Sequence, residues 1–533
     1  MAITECFTFK TEATNEFARV TGWTAATVED EPKVNCGSDM ENFIEYLKNH
    51  KTSRYLSHNL KVDGVFILDY LMRKGWEITD NATPRAGQIR TIITDTGEFF
   101  ALRFGLYVGK RKIKVYDIWD SSKLIPRKAD EIAEDFGIQG KSEIEALAIA
   151  VNELYKAGLN RMTIASCAMA WYKNSVGSAK AFDRAFPSST EYDADVRGAY
   201  SGGWCFMNYN FRDVDIEDGE IVLDVNSLFP YVLREMELPY GTPQHFDGWY
   251  EENEDYPLYI QMVKVDCRLK EGKLPCIKVG GSIGQIGTDY LIDTEGEPVF
   301  LYLTKPEMEL FTENYEVYDM DCLGGWMFQS RKGMFNGYID YWMGIKAYAT
   351  KTKNKSLRMI AKLMLNALYG KFGLIPDTRV KKPVFIDNMI SYEIHDESRN
   401  GVYLPVACFV TAYARGIIVR AAQNHIDRFL YSDTDSLHLI GTEIPDDLEI
   451  DDTKIGAFKV EMIAAKARYL SPKVYAQVDA ETGELKITAA GLPKEARHNI
   501  VLDEFHRGLV LPGRTTYHVV PGGVLPLPRY FTL

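Results

Sequence analysis

The chain has 533 residues, long enough for about three or four domain-sized cores, and its 46% hydrophobic and 26% charged residues exclude a disordered or fibrous protein. A net charge of −14 excludes a uniformly basic nucleic-acid coat, so any nucleic-acid path must be locally basic, with acids gathered on segments such as Glu251 to Asp255 and Asp446 to Asp452. No apolar run in the sequence approaches a membrane span, and Met1-Ala2-Ile3-Thr4-Glu5 has no leader-like pattern. The eight cysteines, with no C-x-x-C pair, read as buried thiols in a reducing cytosol and exclude a zinc site.

In chain order, Phe9-Lys10-Thr11-Glu12 lies on an early strand, and Tyr55 to Ile67 carries Asn59 and Asp63 at N-x-x-x-D spacing. Asp120-Ser121-Ser122-Lys123-Leu124 follows, then a helical run from Ile144 to Tyr155 with Glu143, Glu145 and Glu153 in or beside it. Met162 to Phe186 reads as a helical link into a Tyr200-Ser201-Gly202-Gly203 turn, whose glycines let backbone approach a phosphate chain. Ile221-Val222-Leu223 is a buried strand that ends at Asp224, before a turn and a helix near Tyr231 to Leu233. Tyr250 to Met327 is β-rich, with turn signals at Gly280-Gly281 and Glu295-Gly296-Glu297. In Arg358 to Gly370, a period of 3.6 residues puts Arg358, Lys362, Asn366 and Tyr369 on one helix face and turns Leu363, Met364 and Leu368 to the core. Arg379 to Val402 alternates apolar and polar residues around Asn388, and again around Asn400-Gly401, which predicts a β-hairpin.

The most informative stretch comes next. Tyr431-Ser432-Asp433-Thr434-Asp435-Ser436, flanked by Phe429-Leu430 and Leu437, predicts a tight hairpin with two carboxylates at its turn. Such carboxylates repel unless a cation lies between them, and hard divalent ions, Mg²⁺ above all, suit oxygen ligands. An ordinary Asx turn is the competing reading of D-T-D alone; Asp224 and the cationic helix face, fit for a triphosphate and a stacked base, decide for a metal.

Asp224-Val225-Asn226-Ser227-Leu228-Phe229-Pro230, Lys362 to Gly370 and Tyr431 to Ser436 resemble, in order, motifs A, B and C of family B DNA polymerases. Tyr200 to Gly203, Thr411-Ala412-Tyr413-Ala414-Arg415, Lys473-Val474-Tyr475 and Pro521-Gly522-Gly523 narrow the resemblance to the protein-primed branch of small phages. It implies an α/β multidomain fold: a DnaQ-like (RNase H-like) exonuclease-type domain over 1–165, then a right-hand palm, fingers and thumb over 166–533. Fingers are expected around 345–372, insertions around 271–330 and 375–402, and a β-rich thumb around 476–533.

The resemblance further implies a processive, strand-displacing DNA-templated DNA polymerase. It would extend a 3′-hydroxyl with dNTPs, start on a terminal protein, and work as a monomer in the host cytoplasm without a membrane. Asp224, Asp433 and Asp435, helped by the Val225 carbonyl, would hold two Mg²⁺, with Mn²⁺ able to substitute. Val225, Ser227, Leu228, Phe229, Lys346, Arg358, Lys362, Asn366 and Tyr369 would bind the dNTP. Tyr200, Gly202, Gly203, Gly370, Thr411, Arg415, Lys473 and Tyr475 would contact DNA. Phe229 stands for the usual Tyr of motif A and Ala367 for the usual Ser of motif B.

In the N-terminal unit Asn59 and Asp63 resemble the second exonuclease motif. The first motif should be D-x-E: either Glu12 is the retained acid with Lys10 in the Asp place, or Thr8 and Lys10 occupy both acid positions. The third motif, Y-x-x-x-D, has no match near Ile144 to Tyr155. The expectation is a retained exonuclease fold with lost chemistry. The rivals, an active 3′→5′ exonuclease or a catalytically silent DNA-binding protein, meet Lys10 in the one case and the complete Asp set in the other, since buried unpaired carboxylates are costly without a metal role.

Overall fold

Along Thr4–Ala13, Cys6 packs into one core and its neighbour Phe7 into another, as the two-residue period of a central strand demands. The computed structural model describes residues 4–108, 112–189, 191–279, 289–399, 401–493, 495–497 and 500–533. Thr4–Ala13 lies in an eight-stranded mixed sheet, parallel to Arg54–Ser57, which is in turn parallel to Lys112–Asp120. Helices Met40–Asn49 and Leu60–Arg73 cover the Phe7 face; helix Glu143–Lys156 covers the Cys6 face.

A second sheet is built around Glu220–Val225, which runs antiparallel between Ser436–Ile440 and Phe458–Ser471. Its outer strands include Phe429–Asp433 and Cys205–Met207 on one side, and Val474–Asp479 and Leu485–Ala489 on the other. Behind it lies helix Pro405–Asn424. Contrary to the sequence expectation, this helix is long and apolar enough by length and composition to cross a membrane, but 83% of its apolar window is buried inside the protein. It is a core helix.

The stretch expected to be β-rich forms a four-stranded sheet of Glu237–Phe246, Leu258–Leu269, Val299–Thr304 and Tyr315–Lys332, with a helix at Lys305–Asn314. A helical pair, Asn336–Lys351 and Lys355–Ala367, follows it. Val474–Asp479 and Leu485–Ala489 extend the Asp224 sheet, so the separate hairpins of the tail start only at Val510. Gly280-Gly281 and Asn400 lie outside the described residues. Cys36 is exposed and Cys205 and Cys322 are half-buried, so the expected burial of every thiol does not hold.

The predicted hairpin forms from Asp377–Ile386 and Met389–Ser398. Asp387 and Asn388 take φ of 50° and 64° at its turn, the left-handed pair that a two-residue loop requires and that Asp and Asn tolerate best. The hairpin lies along the N-terminal unit, with Lys382 Nζ 2.7 Å from Asp80 and Arg379 3.3 Å from Asp95. The Arg73 guanidinium donates to the Asn388 carbonyl (3.1 Å) and to Asp69 (2.8 Å). From the other side the tail hairpin Thr516–Val520 and Gly523–Leu527 reaches the same helix. Its Gly522 amide donates to Asp69 (3.0 Å), and the Ala18 amide donates to Pro521 (2.8 Å). Asp69 thus ties both hairpins to Leu60–Arg73.

Gly522 has φ of 90°, and a Cβ there would overlap the Ala18 carbonyl oxygen. Gly522→Ala is expected to undock the tail hairpin: hydrogen exchange at 516–527 should accelerate at least tenfold, while the Asp224 sheet keeps its protection.

Candidate active site

Three strands bring the acids together. Asp224 is near the end of Glu220–Val225, opposite Ser436; Asp433 ends Phe429–Asp433; Asp435 stands just before Ser436. Thr434, between the two turn acids, takes φ of 67°. The Val225 amide donates to the Asp435 carbonyl (2.8 Å), locking the turn to the Asp224 strand. On the far side, the Thr434 amide donates to the Trp204 carbonyl (2.7 Å), and a Cβ on Gly203 would come within 2.6 Å of the Thr434 hydroxyl. Gly203 is glycine so that the Tyr200 to Gly203 turn can cup the acidic turn.

That turn is itself held from below. Arg415 donates to the carbonyls of Ser201 (2.8 Å) and Gly202 (2.6 Å) and pairs with Glu307. Arg415 is 2% exposed and Thr411 1%, and the Thr411 hydroxyl bonds the Ala407 and Cys408 carbonyls of its own helix. The sequence reading expected both to contact DNA; in the structure both side chains are buried beneath the Tyr200 to Gly203 turn, which Arg415 holds.

Burial, then the charges of Asp224, Asp433 and Glu461, pushes the Asp435 carboxyl up to about 7. Its two partners already have cations: Lys459 Nζ lies 2.8 Å from Asp224, and Lys473 pairs with Asp433. Among the described residues no three acidic, imidazole or thiol side chains close around a common point as they stand; the lysines hold two of these three acids. Three carboxylates on neighbouring strands, one of them raised by burial and by its acidic neighbours, form an oxygen donor set that suits hard divalent cations. Val225 and Leu228 are buried side chains, so only their backbone can serve a ligand.

Facing the acids is the expected cationic stripe. Arg358, Lys362 and Asn366 are exposed along one face of Lys355–Ala367. The buried face is Ile360, Ala361, Met364 and Leu365, and Leu363 is only half-buried, against expectation. The α-helix stops at Ala367, and Tyr369 sits in a 3₁₀ turn, stacked on Phe229 with centroids 4.2 Å apart. Burial, then Tyr200 and Asp435, pushes the Tyr369 hydroxyl up to about 12. Lys346 joins the site: its Nζ lies 3.4 Å from Ser227 Oγ, and burial, then Arg358, Lys459 and Lys362, pulls its ammonium below the usual range. Ser227 takes φ of 53°, a strained conformation for serine that aims it at Lys346. Cβ atoms on Gly202 and Gly370 would meet nothing within 4 Å, so backbone is open to a ligand at both places. Tyr475 stacks on Tyr469 (5.1 Å) and packs as a wall behind Lys473.

Sequence reasoning missed Lys459 and Glu461, which no motif marks; only the register of Phe458–Ser471 against Asp224 reveals them. It also missed a buried network below the acids. Glu220 lies 2.7 Å from His438 Nδ1, accepts from the Tyr469 hydroxyl, and accepts from the Gln477 amide (2.9 Å).

The family model for "DNA polymerase type B, organellar and viral" matches residues 144–453. The chain is 34% identical to the DNA polymerase of Bacillus phage M2, over 93% of each chain, and 33% identical to that of Bacillus phage phi29, over 98% of each. It belongs to the type B DNA polymerases. The solved phi29 DNA polymerase with primer-template DNA superposes over 100% of both chains, with TM-score 0.92 and 31% identity. The phi29 complex with primer-template DNA and incoming nucleotides gives 0.91 and 32%. The expected protein-primed, small-phage kinship and the multidomain fold are borne out. The polymerase belongs to a family that uses divalent metal.

The N-terminal cleft of this polymerase is poorer in acids. Glu12 pairs with Arg19 (2.7 Å), both side chains more than half exposed, and so stands apart from Asp63; the reading of Glu12 as a retained site acid is corrected. Thr8 and Lys10 are exposed side chains flanking Phe9, whose amide bonds Asp63. Asn59 is exposed, just ahead of helix Leu60–Arg73. Asp63 itself is buried: desolvation pushes its carboxyl from 3.8 up to about 7, against the Ser57 hydroxyl (2.6 Å) and with help from Asp120.

Because folded Asp63 holds its proton more tightly than the unfolded chain does, the native state binds the extra proton between pH 3.8 and about 7. Stability contributed there falls as pH rises through that window and stays low above it. With EDTA present, Asp63→Asn is expected to raise the melting temperature at pH 8 by roughly 2–4 °C per kcal/mol recovered, and to change it little at pH 4. A melting shift independent of pH would contradict the assignment.

Proposed function

We propose that this DNA-directed DNA polymerase extends a primer 3′-hydroxyl at Asp224, Asp433 and Asp435, with two Mg²⁺ held by these carboxylates and the Val225 carbonyl. The observation that carries the reading is the meeting of three acids from adjacent strands with the Lys346, Arg358 and Lys362 stripe. When bound, the ions acidify the 3′-hydroxyl and stabilise the departing pyrophosphate. Lys362, Arg358 and Lys346 offset the triphosphate charge, Ser227 and the Leu228 backbone border it, and Asn366 and Tyr369 shape the pocket for the nascent base pair. Phe229, stacked on Tyr369, fills the space a 2′-hydroxyl would need. Lys473 lies on the primer side, and the open backbone at Tyr200, Gly202, Gly203 and Gly370 suits the template.

By kinship, primer-template DNA and dNTPs are the substrates, a terminal protein supplies the first hydroxyl, and the work is done by a monomer in the host cytoplasm. Residues 1–165 form the exonuclease-like unit and 166–533 the polymerase unit, with fingers around 345–372 and a thumb in the tail. A cavity of about 1350 Å³ beside the Asp377–Ser398 hairpin and the N-terminal unit, lined by Arg90, Lys123, Lys371, Lys381, Lys382 and Arg399 together with Asp80, Asp396 and Glu397, supports strand displacement, since a predominantly cationic groove can track a single-strand backbone.

Asp433→Asn and Asp435→Asn are each expected to slow primer extension by several orders of magnitude while primer-template binding persists, because each deletes a ligand charge without changing shape. Near wild-type extension by either variant in Mg²⁺ would refute the site.

We further propose that 3′→5′ exonuclease chemistry is lost. Two-metal cleavage needs acids converging on ions about 3.5–4 Å apart, and here Thr8 and Lys10, which flank the Phe9 whose amide bonds Asp63, supply no carboxylate. Labelled single-stranded DNA should stay intact in Mg²⁺ or Mn²⁺, and Lys10→Asp should restore only weak shortening. Prompt metal-dependent degradation by the unmodified protein, abolished by Asp63→Ala, would show an intact nuclease.

A further inference from the structure

Lys459 stands opposite Asp224 in the strand register, with its Nζ 2.8 Å from Asp224 Oδ2. The Lys459 side chain is 34% exposed and that of Asp224 17%, so the pair sits at the cleft mouth, partly desolvated but free to part. Two residues on along the same strand, Glu461 turns toward Asp435. Lys459 is also close enough to Lys346, which bonds Ser227, for its charge to help lower the Lys346 ammonium. The ammonium therefore lies where the acidic edge and the cationic stripe meet.

An ammonium and a divalent cation compete for the same carboxylate oxygen. Mg²⁺ needs oxygen ligands at about 2.0–2.1 Å in near-ideal geometry and tolerates no second cation bonded at the same place. The four-carbon lysine stem allows the ammonium to swing aside without backbone movement.

We propose that Lys459 is a built-in counter-ion that competes with the divalent cation for Asp224. In the absence of metal it holds that carboxylate by an ion pair, and it weakens capture of free metal by the empty site. This rests on the reading of Asp224 as a metal ligand. Displaced, Lys459 moves toward the Lys346 and Ser227 side, where a triphosphate offers it another anion. Metal loading and nucleotide arrival are thereby coupled through one side chain.

The test is Mn²⁺ titration of the full-length protein without DNA or nucleotide, with free Mn²⁺ read by electron paramagnetic resonance. Lys459→Met should bind Mn²⁺ roughly fivefold more tightly than wild type, the size expected when a half-exposed ion pair no longer competes. Lys459→Arg, which keeps the charge, should stay within about twofold of wild type. In the Asp224→Asn background binding should be weaker, and Lys459→Met should then have no effect. Half-saturating Mg²⁺ in single-nucleotide addition should fall by the same factor in Lys459→Met. If Lys459→Met melts early, Lys459→Gln serves in its place. Unchanged Mn²⁺ affinity in both, with Asp224→Asn still weakening it, would reduce Lys459 to a cross-strand salt bridge and leave the metal site standing. No weakening by Asp224→Asn would overturn the metal-site reading, and this inference with it.

Discussion

The structure depends on one electrostatic constraint: three carboxylates share one sheet edge, and nothing about them favours that. Burial and mutual repulsion raise the Asp435 carboxyl, while Lys459 and Lys473 neutralise its two partners. Much of the surrounding architecture resists the repulsion. The Val225 amide holds the turn from one side, the Trp204 carbonyl from the other, and Gly203 removes the Cβ that would push Thr434 away. Arg415, buried and paired with Glu307, fixes the turn to which Gly203 belongs. A guanidinium taken out of water would be costly alone; here two carbonyls and a carboxylate satisfy it.

Beneath the edge, Glu220 is fully buried yet accepts from Tyr469 and Gln477 and meets His438. A carboxylate in such a place tolerates no slip of its strand, because a one-residue shift would strand the charge and turn every side chain to the other face. The network sits on Glu220–Val225, Ser436–Ile440 and Phe458–Ser471, with Gln477 on the adjoining strand. It therefore fixes the register that sets Asp224 beside Ser436 and opposite Lys459.

How much of this the sequence discloses follows from the range of the interactions. The acidic turn, the strand ending at Asp224 and the hairpin at Asn388 are local, and their residue types dictate them: alternation, left-handed turn residues, apolar flanks. The exposed face of Lys355–Ala367 is equally local, although the tightening at Tyr369 and the half-burial of Leu363 escape a strict helical period. What fails is long-range. Thr411 and Arg415 carry a motif suggestive of surface contact, yet the helix that bears them is buried on nearly all sides. Glu12 looks like a retained acid by spacing, but a register shift after Lys10 leaves it with Arg19. Lys459 and Glu461 acquire meaning only through the strand beside them.

The helix Leu60–Arg73 touches both the mid-chain hairpin and the tail hairpin, through Asp69 and Arg73 and through a core it shares with Ile390, Val520 and Val524. These two hairpins belong to the polymerase half of the chain, and they close on each other by way of the N-terminal half. The N-terminal unit is therefore a strut for the other half of the chain. Its removal would leave two cantilevered arms, each without its anchor. Mechanical necessity of this kind constrains the sheet and Asp69 independently of any chemistry in the unit's cleft.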